Sequence, residues 1–284
     1  MVVGKWKFSA MCLLLFLALL ADGALAGAAF AVANRQPSVL QSSAVANRQP
    51  SAMQSSAVAN RQPSAMQSSA VANRQLSAMQ SSAVANRPLQ VALTFDDGPS
   101  DFTDRLLDCL EANNVKATFF LAGQEVEYFQ EPVKRMEELG CEIGNHSYDH
   151  PDLTTLSADD AASQLSRTDQ LIQDLTGQIA TVVRPPYGSY NDTVAEIAAR
   201  PLILWSVDTL DWETQNADST VQNVMDNASD GQIILMHDIF KESVDAAEIF
   251  IPQLLQEGYQ LVTVSELAAA KGITLENGTA YGSF

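Results

Sequence analysis

From Gln90 to Ala270 the chain alternates short β-rich apolar runs with stretches of helical apolar spacing, and this alternation constrains the fold more than any other feature. Gln90 to Phe95, Ala117 to Leu121, Cys141 to Gly144, Val182 to Arg184, Leu202 to Val207, Gly231 to Met236 and Gln260 to Val264 read as strands. Phe102 to Asn113, Glu131 to Leu139, Ser157 to Thr176, Thr193 to Ala199, Val221 to Ala228, Ala246 to Glu257 and Ser265 to Ala270 read as helices. Ser157 supplies an N-cap, with Asp159 and Asp160 in the first turn behind it. Such alternation implies a parallel α/β architecture. In barrels of this type, chemistry collects on the loops that follow the C-terminal ends of the strands.

The residues capable of chemistry fall at those positions. Thr94-Phe95-Asp96-Asp97-Gly98-Pro99 follows the first strand, and Asn145-His146-Ser147-Tyr148-Asp149-His150-Pro151 follows a later one. Arg184-Pro185-Pro186-Tyr187-Gly188, Asp208-Thr209-Leu210-Asp211-Trp212 and Leu235-Met236-His237-Asp238 follow others, and these segments hold all three histidines of the chain. His146 and His150 are four residues apart, so on a helical turn their imidazoles face one side, as two ligands of one ion must. A carboxylate from a separate segment completes a site of two histidines and one acid, with positions open for water and substrate. Asp96 and Asp97 can divide into a ligand and a base. A divalent ion pulls the pKa of water towards neutrality, and a nearby carboxylate can take the proton as that water attacks a carbonyl. Hydrolysis of an amide or ester follows, and His237 is the histidine left to protonate a leaving amine. Each piece is weak alone: H-x-x-x-H is usually incidental, and Asp-Asp-Gly-Pro suits an ordinary turn. Their shared placement at strand ends carries the reading.

The five segments TFDDGP, HSYDHP, RPPYG, DTLDW and LMH resemble, in order, the motifs of the NodB-homology polysaccharide deacetylases, carbohydrate esterase family 4, over roughly Pro88 to Ala270. The resemblance implies an irregular, incomplete (β/α) barrel. It implies that Asp97, His146 and His150 bind a divalent ion, most often zinc, with cobalt or nickel able to serve. Asp96 would then be the base and His237 the acid, with Arg184 orienting Asp96 and Asp211 holding the charge and tautomer of His237. The Tyr187 backbone N–H would help stabilise the oxyanion. Trp212 and Leu235 would enclose the acetyl methyl, and Pro186 would also border the substrate. The implied reaction removes N-acetyl groups from N-acetylglucosamine-containing glycans, chitin oligomers or peptidoglycan, and releases acetate. An O-acetyl xylan esterase of the same family is the first alternative. An inactive secreted glycan-binding protein is a second, and it would predict a broken motif where none is broken. A zinc protease is disfavoured because H-E-x-x-H is absent.

The first 87 residues are different material. They carry seven basic side chains and one acidic one, Asp22, whereas the remainder carries nine basic and 33 acidic, a balance of −24. Lys5 and Lys7 precede the apolar run Phe8 to Leu20, followed by Ala24-Leu25-Ala26, which reads as a signal peptide over 1–26 and a secreted or cell-envelope destination. From Ala31 the unit AVANRQPSxxQSS restarts at Ala44, Ala57 and Ala70, with a truncated copy at Ala83. Each copy has too little apolar material to repay the entropy of ordering it, so 27–87 is expected to be a disordered linker. The catalytic domain is expected over 88–271, with 272–284 a C-terminal tail. The acidic domain argues against a nucleic-acid partner, since affinity for a polyanion comes from Lys and Arg. No stable membrane span is expected after signal cleavage, and a monomer is expected. Cys109, mid-helix, and Cys141, at a strand start, are expected to be buried free thiols.

Overall fold

A computed structural model of the protein describes residues 87–284. The expected signal peptide and, up to residue 86, the repeat linker lie outside the described residues. The strands are β1 (Leu89–Asp96), β2 (Thr118–Leu121), β3 (Glu142–Asn145), β4 (Leu202–Ile203), β5 (Val207–Asp208), β6 (Ile233–His237), β7 (Tyr259–Val262) and β8 (Ala280–Tyr281). The main sheet runs β3-β2-β1-β6-β5, all pairings parallel, and β7 joins it by pairing with Leu89 to Ala92 of β1. The α/β architecture read from the alternation is therefore present.

β1 is the centre of the domain. Val91 to Phe95 are completely buried, as expected of a strand covered on both faces in a parallel sheet. Phe95 stacks on Phe119, and both join a core with Leu106, Leu110, Met136 and Phe250 from the surrounding helices. Truncating such a phenylalanine to alanine costs about 3–5 kcal/mol. The long helix Ala158–Thr176 is capped by Ser157, whose side chain accepts from Asp160 N–H, and it ends at Gly177 with φ 76°. That left-handed stop suits glycine because no Cβ opposes it.

Two strand expectations need correction. Val182 to Arg184 forms only single bridges, from Val183 to Asn145 and to Leu202. Leu202 to Val207 is two short strands in different sheets, β4 beside β8 and β5 beside β6. The cause lies in Arg184, whose Nε donates to Ile203 O and whose Nη2 donates to Leu204 O, taking carbonyls that a continuous ladder would have used. The 272–284 segment packs on the domain: β8 pairs with β4, Ser283 bridges Gln232, and Tyr281 and Phe284 pack beside Ile203 and Trp205. Two short helices, Gly123–Tyr128 and Asp211–Thr214, were not foreseen. Cys109 and Cys141 are both free thiols, the second buried and the first half-buried. No helix among the described residues is long and apolar enough to cross a membrane.

Candidate active site

The parallel register places Asp96 of β1 opposite His237 of β6, so the two residues read as base and acid are direct neighbours at the same end of the sheet. Both strands stop there. The next residue, Asp97, turns with φ 71°, which sends its carboxylate away from the path of the strand.

Asp97, His146 and His150 converge, with one ligand atom of each within 4.8 Å of the others. Nε2 of His146 and Nε2 of His150 each lie 3.4 Å from Asp97 Oδ1. Those separations are long for hydrogen bonds and suit three donors facing a common point. Asp97 Oδ1 is buried with no hydrogen-bond partner, so the protein leaves this acceptor to something else. His146 Nδ1 pairs with the carbonyl of Arg184 at 2.6 Å, which fixes the tautomer and reserves Nε2 for the cluster. An oxygen and two imidazole nitrogens form a donor set that fits zinc or a similar divalent ion. Burial disfavours charge on Asp97, but the neighbouring imidazoles outweigh it and hold the carboxyl well below the usual range. His150 is held below its ordinary value by burial and by His146.

The histidines meet by a route other than the expected helical turn. The loop after β3 is irregular, with left-handed backbone at Ser147 (φ 68°) and His150 (φ 59°). Buried Asn145 shapes it: its Oδ1 accepts from Ser147 N–H, and its Nδ2 donates to Leu165 O and Asp169 Oδ1. Gln164 Oε1 accepts from the N–H groups of Tyr148 and Asp149. The outcome, imidazoles side by side with ring centroids 4.9 Å apart, is what the spacing suggested.

On one side of the cluster, Arg184 is 0% exposed and its Nη1 donates to Asp96 Oδ1 at 2.7 Å and to Thr94 Oγ1 at 2.8 Å. Asp96 Oδ2 remains, 3.8 Å from His146 Nε2 and facing the cluster. On the other side, His237 Nδ1 pairs with Asp211 Oδ1 at 2.9 Å, while Asp211 Oδ2 accepts from the His237 N–H and from Ser243 Oγ. Burial opposes charge on His237, yet Asp211, with help from Asp96 and Asp97, raises its pKa to about 9. Asp211 itself is held low, against its burial, by those same bonds.

Tyr187 has left-handed backbone (φ 61°, ψ 7°) between Pro186 and Gly188; the residue is 66% exposed, and its ring meets that of His150 edge-on with centroids 4.6 Å apart. Trp212 stands 47% exposed beside Asp211, and Leu235 is buried two residues before His237. Thr94 and Asn145 stand in the chemically capable segments but carry no assigned role in the sequence, and Ser243 is not singled out there at all. Each is a buried polar residue whose role, bonding Arg184, shaping the histidine loop or fixing Asp211, is readable only from its partners.

A protein-family model described as polysaccharide deacetylase matches residues 84–201. Over 186 residues the chain is 40% identical to the peptidoglycan-N-acetylglucosamine deacetylase of Bacillus cereus, covering 63% of this chain and 68% of that protein. This chain belongs to the polysaccharide deacetylase family. It is also 45% identical over 182 residues to the peptidoglycan-N-acetylmuramic acid deacetylase PdaC of Bacillus subtilis, covering 64% of this chain but only 39% of that longer protein. Among solved structures, a family 4 acetyl xylan esterase from Clostridium thermocellum in complex with a cobalt ion superposes with a TM-score of 0.65 at 34% identity, over 68% of this chain and 98% of that one. The structural likeness spans nearly the whole esterase domain, so the fold is the irregular β/α barrel of carbohydrate esterase family 4.

Proposed function

We propose that this chain is a metal-dependent deacetylase that hydrolyses the N-acetyl groups of peptidoglycan amino sugars, releasing acetate and leaving a free amine. The observation that carries the reading is the Asp97–His146–His150 cluster set between a carboxylate held by Arg184 and an imidazole held by Asp211. Peptidoglycan is preferred over chitin oligomers because the relatives named above that act on amino sugars carry peptidoglycan in their names. The likeness to an acetyl xylan esterase keeps the O-acetyl reading as the alternative.

Asp97, His146 and His150 would hold the ion, with zinc the first choice and cobalt or nickel able to replace it. When bound, it would supply Lewis acidity, polarising the acetamide carbonyl and making water more acidic. Asp96 takes the proton of the attacking water on Oδ2, the oxygen that Arg184 leaves free. The Tyr187 N–H donates to the oxygen on which charge develops. His237, with Nδ1 committed to Asp211, delivers a proton from Nε2 to the departing amine. Trp212, Leu235 and Pro186 border the acetyl group. The domain would be secreted by the 1–26 signal and tethered through the repeat linker, with the folded unit beginning near Pro88.

The test is acetate release from peptidoglycan, chitin oligomers and acetylated xylan side by side, before and after chelation. The expected result is fastest release from peptidoglycan, abolished by chelator and restored by Zn²⁺ or Co²⁺. Release from acetylated xylan alone would overturn the N-deacetylase assignment.

A further inference from the structure

The parallel ladder between β1 and β6 ends at the Asp96–His237 pair, and the chains part at the next residue. Something else must fix the ligand-bearing turn, Asp97-Gly98, against the strand end that carries His237. The group at that junction is Asp238, fully buried and outside the mechanism described above.

Its hydrogen bonds to other residues run to the segment after β1. Thr103 Oγ1 donates to Asp238 Oδ2 at 2.5 Å, and Ser100 Oγ donates to Asp238 O at 2.7 Å. Ser100 N–H donates in turn to Thr103 Oγ1 at 2.7 Å, closing a small network. The other carboxyl oxygen packs against Gly98, where a Cβ would collide with the Asp238 carboxyl, so the site demands glycine there. Gly98 O is meanwhile bonded by Ala122 N–H, which pins the turn from the β2 side. Apart from Asp97 Oδ1 in the ligand cluster, Asp238 Oδ1 is the one buried side-chain polar atom among the described residues with no hydrogen-bond partner. A buried oxygen left without a partner is destabilising, so its position against Gly98 is maintained at the expense of stability.

We infer that Asp238 is a positioning residue for the deacetylation: wedged against Gly98 and tied to Ser100 and Thr103, it places the strand end that carries His237 relative to the Asp97 turn, which Ala122 N–H holds independently through Gly98 O. The inference rests on the deacetylase reading above. Asparagine keeps the shape of the side chain and an oxygen that can accept from Thr103, so it is the conservative replacement; burial also pushes the Asp238 carboxyl up to about 7.

The experiment compares wild type, Asp238→Ala, Asp238→Asn and Thr103→Val in the full chain on an N-acetylated peptidoglycan glycan fragment and on an activated aryl acetate, with thermal unfolding of each. The aryl leaving group departs without a proton, so a misplaced His237 harms only the amide. Asp238→Ala is expected to lose about 30-fold or more in kcat on the amide and less than about threefold on the ester, the size of effect that a displacement of order 1 Å produces. Asp238→Asn should recover most of that loss, and Thr103→Val should show the same selectivity at about fivefold, in line with one hydrogen bond. Equal losses on both substrates, or a lower Tm with kcat per folded molecule unchanged, would overturn the positioning role while leaving the deacetylase reading intact. A wild-type protein that turns over neither substrate with Zn²⁺ or Co²⁺ would sink both.

Discussion

Two ion pairs flank the ligand cluster and assign opposite roles to their members. In the proposed mechanism the carboxylate of the Asp96–Arg184 pair does the chemistry and the cation positions it, whereas in the His237–Asp211 pair the cation does the chemistry and the carboxylate positions it. Burial and saturation decide which member is free to act. Arg184 is completely buried, with Nε, Nη1 and Nη2 all committed to oxygens of Ile203, Thr94, Asp96 and Leu204, so it has no part in moving protons. Asp211 accepts three hydrogen bonds and has no face left for substrate. Asp96 and His237 each keep one atom unspent, and those atoms belong to neighbouring residues of adjacent strands.

The sharpest way to break this symmetry of opposites is Asp96→Asn. It keeps the bond to Arg184 but cannot take a proton, and kcat should fall about 10³-fold, within the usual range for a general base. Metal content measured on the same variant should stay at the wild-type level; a variant with full activity would end the assignment of Asp96. His237→Ala should cost about 10²-fold on an N-acetyl substrate and markedly less on an activated ester, because only the amine needs a proton to leave. Equal losses on the two substrates would remove the distinction between the flanks.

Asp211→Asn probes the positioning member through pH. His237 is raised to about 9 by its carboxylate partner in spite of burial, and the acid must be protonated to work, so activity falls as pH climbs through that value. Without Asp211 the folded pKa drops towards 6.5, and the alkaline limb of kcat/KM should move to lower pH by about one unit or more. The same pair contributes stability that is complete below about 6.5 and lost as pH rises through about 9. An unmoved alkaline limb would assign that limb to another group. The smallest effect is expected from Thr94→Val, which removes one acceptor from Arg184 and leaves the contact with Asp96 in place. A cost of about 1 kcal/mol in unfolding free energy and a few-fold change in kcat are expected, read by denaturant titration and initial rates.

Much of the site was legible because its pieces are local. TFDDGP begins in the last residues of an apolar strand and LMH closes another, and strand ends are where a parallel barrel keeps its chemistry. The histidine pair was read correctly as a pair and wrongly as a helical turn. Its loop conformation depends on Asn145 and Gln164, and Gln164 lies in a helix well downstream of the loop. The strand expected over Leu202 to Val207 failed for a similar reason, since a buried guanidinium twenty residues upstream claims the carbonyls of Ile203 and Leu204. The segment after Lys271 offered no apolar periodicity long enough to mark a strand, yet β8 forms because β4 presents an edge for it.

The alternation of strands and helices, the acidic residues after β1, the three histidines and their order along the chain are properties of the sequence, and they determine a parallel α/β domain with a hydrolytic site at one end. What sets Asp96 and Asp97 apart physically, and supports the different roles proposed for them, is tertiary. Asp96 and Asp97 are adjacent and chemically identical. They differ because one ends a strand against Arg184 while the other turns away into two imidazoles, and those partners arrive from segments dozens of residues away. A carboxylate takes its role from the charges and donors around it, and in a parallel sheet those neighbours are brought together by pairing distant strands.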